Sequence, residues 1–207
     1  MNTNQRTVVI ESPKFESAVI ALIGTAPYVQ HKFSQKARLQ IKATQAAGSQ
    51  AKKGTKREPK DFDEVYRQAM HISREGWAGI PAPAFRNAMI SACRIVGFKM
   101  TIAKLSVFVD ADGFDADDGT PLVRIKGEPR MHETYARNDN GSIDLRFRPM
   151  WEEWGVDLRI RWDAAQFSAG DIVNLLSRVG MQVGIGEGRP DSKNSAGMGW
   201  GLFEVKS

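Results

Sequence analysis

Apolar positions along the chain recur with two periods, and each predicts a different kind of element. Phe15 to Ile23 (FESAVIALI) is a nearly unbroken apolar run ended by Gly24 and Pro27, which reads as a buried first core strand. Trp154 to Trp162 (WGVDLRIRW) alternates apolar and polar residues, the pattern of a half-buried strand. Leu105 to Val109 and Leu122 to Ile125 flank the acidic stretch DADGFDADDG and predict one hairpin. Met131 to Ala136 and Ile143 to Phe147, around an NDNG turn at Asn138 to Gly141, predict a second. The helical period takes over after IPAP, where Phe85, Ala88, Met89, Ala92, Ile95 and Val96 share a face and the prolines sit at a helix entry that needs no N–H. Ser168 starts another helix through Ile172, Leu175, Leu176 and Val179, with Asp171 completing a capping box and Gly180 as the stop. Gly201 to Val205 reads as a closing strand.

Strand, helix, hairpins, strand, helix, strand is an α+β order in which two helices cover one face of an antiparallel sheet. A ferredoxin-like core fits it best, as a single domain over residues 1–207. Residues 34–76 read as an insertion that leaves this core and returns. Ser34 caps a thin-faced helix through Lys36, Leu39, Lys42 and Ala46, AGSQAKKGTKREP is a linker, and DFDEVYRQAMHIS is a short helix with Phe62, Val65, Ala69 and Ile72 on one side. No internal repeat of 20 to 50 residues is present, which excludes solenoids and propellers.

Composition adds little until charge is located. Hydrophobic residues at 42%, charged residues at 26% and a mean hydropathy of -0.37 describe an ordinary globular chain. The polar start MNTNQRT and the lack of a long apolar run predict a cytoplasmic protein without a membrane segment, and the single Cys93 agrees with a reducing compartment. Between His31 and Lys60, however, nine basic residues face one acidic residue, Glu58, a net of +8 within a chain whose net charge is +5. Such a concentration points to a polyanionic partner. Its basic members are Lys32, Lys36, Arg38, Lys42, Lys52, Lys53, Lys56, Arg57 and Lys60.

Several chemistries are excluded by spacing. The glycines of GIGEGRP and GMGWG follow a helix and precede a strand, the reverse of the dinucleotide-binding order, and no phosphate-binding G-x-x-x-x-G-K-[ST] occurs. His31, His71 and His132 lie far apart without metal-ligand spacing, so neither a metal nor another cofactor is expected. His31, just beyond the first strand, is the one histidine placed as a general base, though no partner for it is visible. A calcium loop starting at Asp110 fails because Phe114 and Asp115 fall where a ligand and a glycine are needed, leaving an acidic turn. Gly184, Gly186 and Gly188 offer close backbone approach and exposed N–H groups, with Arg189 and Lys193 able to hold a phosphate against them. Arg146, Arg148, Arg159 and Arg161 alternate with apolar residues and predict an arginine-bearing sheet face, either a phosphate track or a set of ion pairs with the acidic turn.

GTAPYVQHKF, IPAPAFRNA, RFRPMWEEW and VGIGEGRP followed by GMGWGLFEV together resemble a group of phage and mobile-element proteins and, through them, the RAMP superfamily, especially CRISPR backbone subunits of the Cas-seven type. The resemblance runs from about residue 18 to 205. It implies an RRM-related core that polymerises along a single strand as a helical or ring-like homo-oligomer, with residues 34–76 as a thumb-like element. By position it implies phosphate contacts at Arg86 and Asn87 and in the glycine-rich loop around Arg189. The aromatic signatures of true RRM domains are absent, and the acid used by cutting members has no clear counterpart beyond Asp61 or Asp63. The expectation is a non-enzymatic, sequence-independent binder of single-stranded RNA or DNA that assembles with copies of itself and with other effector subunits. A strand-annealing recombination protein and a ribonuclease on the same fold are the alternatives.

Overall fold

The strict alternation of β9 (Gly155–Asp163) makes it the centre of the main sheet, with Val156, Leu158, Ile160 and Trp162 buried and Asp157, Arg159 and Arg161 exposed. The structure, a computed structural model, describes residues 12–33, 61–137, 143–192 and 197–206, with positions 39, 42, 43 and 46 besides. β1 (Phe15–Gly24) runs antiparallel along β9, pairing Ala18 with Ile160, Ile20 with Leu158 and Leu22 with Val156. β4 (Val107–Asp110) lies on the far side of β9 and β10 (Phe203–Val205) on the far side of β1, so the strand order is β10-β1-β9-β4 with every pairing antiparallel.

Two helices cover one face of this sheet. α2 (Ala82–Ile95) begins with proline in its first turn and buries Phe85, Ala88, Met89 and Ala92. α4 (Ala169–Arg178) carries the expected capping box between Ser168 and Asp171 and buries Ile172, Leu175 and Leu176. These residues form one core with the inward side chains of β9. Two small three-stranded sheets flank it. One is β2 (Tyr28–Val29), β8 (Ile143–Trp151) and β7 (Arg130–Arg137); the other is β3 (Gly79–Pro81), β6 (Pro121–Arg124) and β5 (Gly113–Phe114). The short helices α1 (Phe62–Gln68) and α3 (Met100–Ser106) complete the α+β architecture. No described helix is long and apolar enough to cross a membrane.

Several expectations are corrected. β1 is one-sided, not buried on both faces: Leu22 points inward while Val19 is 64% exposed on the open face. Residues 105–109 and 122–125 do not form a hairpin, because 100–106 are helical, β4 joins β9 and β6 joins β3 and β5. The hairpin of 131–136 with 143–147 holds as β7 and β8, though its turn lies outside the described residues. α4 does not stop at Gly180 but continues as a π-helical turn over Val179–Val183 to Gly184, whose φ is +69°. A side chain at Gly180 would stand 2.0 Å from the Phe203 carbonyl, so glycine there lets β10 close the sheet. Of the helix expected from Ser34, only 39, 42, 43 and 46 are described, helical and exposed. The return of the insertion is part of the body: Ala69 and Ser73 are buried, and Ile72 and Ser73 bridge to Ala78 and Asp115.

Candidate functional site

The loop after β2, the turn after α1, one face of α2 and the glycine-rich loop meet around a pocket of about 390 Å³. α2 contributes Ala84, Asn87, Ala88 and Ser91, which its 3.6-residue repeat puts on one stripe. The glycine-rich loop contributes Gly184, Gly186, Glu187, Arg189 and Asp191. His31, at the start of the basic segment, and His71, beyond its end and after α1, line the same pocket.

His71 is held from behind. Its Nδ1 lies 2.8 Å from Asp115 Oδ2, and its backbone N–H donates to the Gln30 side chain, which itself donates to the Gly79 carbonyl. Asp115 is fully buried, and its Oδ1 accepts from the backbone N–H of Asp117. Lys32, 5% exposed, reaches both Asp115 oxygens at 2.7 and 2.9 Å and Asp117 at 2.6 Å. Burial disfavours the Lys32 charge, but the two carboxylates outweigh it and hold its pKa above the ordinary lysine value. Burial also opposes ionisation of Asp115, yet Lys32, the Asp117 N–H and His71 hold its carboxyl below the usual range. His71 is itself pushed below the ordinary imidazole value by burial, with Asp115 working against the shift. Asp115 thus engages Nδ1, which leaves Nε2 as the ring nitrogen outside that contact.

The second histidine has partners too. His31 Nδ1 lies 3.8 Å from Glu187 Oε1 and 3.4 Å from Arg148 Nη2, and Arg148 Nη1 lies 3.5 Å from Glu187 Oε2. The His31 ring and Arg148 keep Glu187 below the usual carboxylate range against the effect of burial. Arg148 is buried, and its Nε has no hydrogen-bond partner among the described residues. Arg189 Nη1 donates to the Gly186 carbonyl at 2.9 Å. At the far end Asp191 is paired with Arg94 at 3.2 Å and hydrogen-bonded to Ser91.

Asn87, Gly184, Gly186 and Arg189 are thus brought together, as expected, whereas Gly188 packs against Trp200 outside the pocket lining. Arg86 is elsewhere. Its Nε donates to the Val107 carbonyl at 2.9 Å, its Nη2 to the Lys104 carbonyl, and its guanidinium lies 4.8 Å from the Phe108 ring. Lys42 is exposed and not among the pocket residues; Lys36, Arg38, Lys52, Lys53, Lys56, Arg57, Lys60 and Lys193 lie outside the described residues. The glycine positions have an architectural reason: a Cβ at Gly186, whose φ is +77°, would lie 2.5 Å from the Tyr28 ring and 2.6 Å from the Val29 carbonyl.

Three sequence readings change. The expected arginine face divides, because β8 and β9 belong to different sheets: Arg148 turns into the body, while Arg159 and Arg161 lie 3.5 and 3.9 Å from Asp112 and Asp110. The acidic turn is not wholly solvated, since Asp115 is its buried anchor. Lys32 is committed to that anchor, so it leaves the cations open to a polyanion. Sequence spacing missed His71, Asp115 and Glu187, because each pair joins residues distant in the chain. His71, Asp115 and Asp118 also bring three ligand atoms within 4.8 Å of one another, but the Lys32 ammonium already takes a cation's place on both Asp115 oxygens. The chain matches no protein-family model and no curated protein.

Proposed function

We propose that this chain binds single-stranded nucleic acid, with the basic segment gathering the phosphates and the pocket beside α2 holding one of them. The observation that carries this reading is the convergence of Asn87 on α2 with the glycine-rich loop and its Arg189, far apart in the chain, on one pocket. The entry of α2 supports it, since Pro81 supplies no side-chain cap to the helix N–H groups on that side. We read the core as ferredoxin-like and RRM-related. The order β10-β1-β9-β4, with both helices on one face, is the order a split βαβ pair produces. That core supports the likeness to RAMP-type backbone subunits, and with it a cytoplasmic protein that assembles with copies of itself along the strand.

Fluorescence anisotropy with a labelled homopolymeric oligonucleotide across a salt series tests the binding. Neutralising Lys52, Lys53, Lys56 and Arg57 together should flatten the log-affinity against log-salt slope by about 0.7 per lost single-strand contact. Arg189→Ala should weaken binding at unchanged melting temperature, and Arg86→Ala should lower the melting temperature while leaving affinity intact. Absence of binding to either RNA or DNA at low salt would refute the reading. Electron microscopy of the protein with and without the oligonucleotide tests the assembly.

A further inference from the structure

We propose that a strand and one proton enter the pocket together, the proton being taken up from solvent by His71, so that single-stranded nucleic acid is held more tightly as the pH falls. This rests on the nucleic-acid reading above and adds to it a regulation of the same site.

The geometry fixes which nitrogen carries the proton of the neutral His71 ring. Asp115 is fully buried, and donors already meet both of its oxygens: Lys32 at 2.7 and 2.9 Å, and the backbone N–H groups of Asp117 and Asp118 at 2.9 and 3.4 Å. A carboxylate held in this way is ionised and only accepts. His71 Nδ1, 2.8 Å from Asp115 Oδ2, is therefore the donor of that pair, and Nε2 of the neutral ring carries a bare lone pair. Phosphate oxygens are acceptors as well. A neutral His71 on the pocket wall has no ring N–H to give them, whereas an imidazolium has a charge-assisted one, with Asp115 behind the ring to stabilise its charge.

The rest of the wall makes that proton matter. Its charged side chains are two acids, Glu187 and Asp191, against one arginine, Arg189. Arg148 offsets Glu187 and Arg94 offsets Asp191, which leaves Arg189 alone to meet a phosphate charge. Behind His71, Asp115 and Asp118 favour the imidazolium while burial and Lys32 oppose it, and the ring is held below the ordinary imidazole value, mostly neutral at pH 7. Asp117 is turned to Lys32, and Gln30, which accepts from the His71 backbone N–H, carries no charge. A phosphate beside Nε2 adds the anion that reverses this balance. His31 differs, because it faces Arg148 at 3.4 Å and Glu187 at 3.8 Å, a pair already balanced without it.

The chain has three histidines, so each can be followed by itself. Imidazole C–H resonances of the full chain are recorded by NMR between about pH 8 and 5.5, alone and with oligothymidylate, whose bases and phosphodiesters do not titrate in that range. His31→Gln and His132→Gln chains assign the His71 signal, and melting curves at each pH confine the comparison to folded protein. The expected result is a His71 midpoint that rises by about one pH unit or more on binding. Affinity measured by anisotropy should increase by up to about tenfold per pH unit between the free and bound midpoints. His71→Gln, whose amide keeps a donor for Asp115, should still bind but no longer follow pH; where it does not fold, the NMR shift in the unmodified chain decides. His31→Gln should keep the pH dependence. Binding with the His71 midpoint unmoved, pH dependence that persists in folded His71→Gln, or its loss in His31→Gln overturns the proposal and leaves the binding reading standing. Absence of binding at every pH at low salt removes both.

Discussion

Lys32→Met removes the ammonium from a carboxylate that has no access to water, and the structure sets the size of the loss. Lys32 supplies two of the contacts on Asp115, at 2.7 and 2.9 Å; what remains is His71 at 2.8 Å, the Asp117 N–H at 2.9 Å and the Asp118 N–H at 3.4 Å. Breaking a buried ion pair from one side costs about 3–5 kcal/mol, since the surviving charge stays buried. The remaining donors place this case near the lower end, about 3 kcal/mol. For a domain of this length that is a fall in melting temperature of roughly 6–12 °C. Asp115→Asn leaves Lys32 the half-exposed Asp117 as partner, so its cost should be smaller. The double variant Lys32→Met with Asp115→Asn no longer buries an unpaired charge and should be more stable than the two single losses added together, by about 2 kcal/mol. Urea denaturation of the four proteins at pH 7 measures the cycle. A Lys32→Met loss below about 1 kcal/mol, or losses that add within about 0.5 kcal/mol, would refute the picture of a buried charge cluster.

Glycines at φ near +70° separate strain from contact: Gly199→Ala meets nothing within 4 Å and should cost about 1–2 kcal/mol, while Gly201→Ala, whose Cβ would stand 1.8 Å from the Ile185 carbonyl, should add about 1–3 kcal/mol of overpacking. Equal urea midpoints for the two variants would refute this. Stability should also fall as pH drops below about 6.5, because unfolded imidazoles take up protons there while burial holds folded His71 and His132 below their ordinary value. A second loss begins near the unfolded carboxyl value of about 3.9 and continues down through the lower folded value of Asp115. A urea midpoint that stays flat from pH 7 to 5, or that falls equally when both histidines are replaced by glutamine, would count against the first assignment.

The elements legible in the sequence were those whose signal is local. The β9 alternation, the Ser168–Asp171 capping box and the proline entry of α2 each lie within a few residues of chain, and each stands in the structure. Strand partners were less legible, because Leu105 to Val109 and Leu122 to Ile125 carry no mark that sends one to β9 and the other to β3. Residues 100–106 form a helix with few apolar side chains facing inward, Ala103 and Ser106 being the buried ones, and so gave no helical stripe. In the site, Asn87 and Arg189 stood out through neighbouring motifs, whereas His71 became visible only when folding brought Asp115 to it across 44 residues. Asp115 itself was masked by its acidic neighbours: nothing in DADGFDADDG distinguishes the one carboxylate that is buried from those that meet arginines at the surface.

Charge within the described body is spent largely on itself, which decides where a polyanion can be held. Residues 61–207 carry 18 basic and 21 acidic side chains, a net of −3, so this part of the chain has no long-range attraction for phosphates. Its arginines near the sheet and pocket face acids of the same body: Arg159 meets Asp112, Arg148 meets Glu187 and Arg94 meets Asp191. Lys32 is likewise withdrawn from the basic segment by Asp115 and Asp117. On the proposed reading, a strand would be gathered by the rest of the basic segment from Lys36 to Lys60 and met in the pocket by Arg189. Long-range attraction and contact in the pocket would then come from different parts of the chain. Salt should act chiefly through the basic segment.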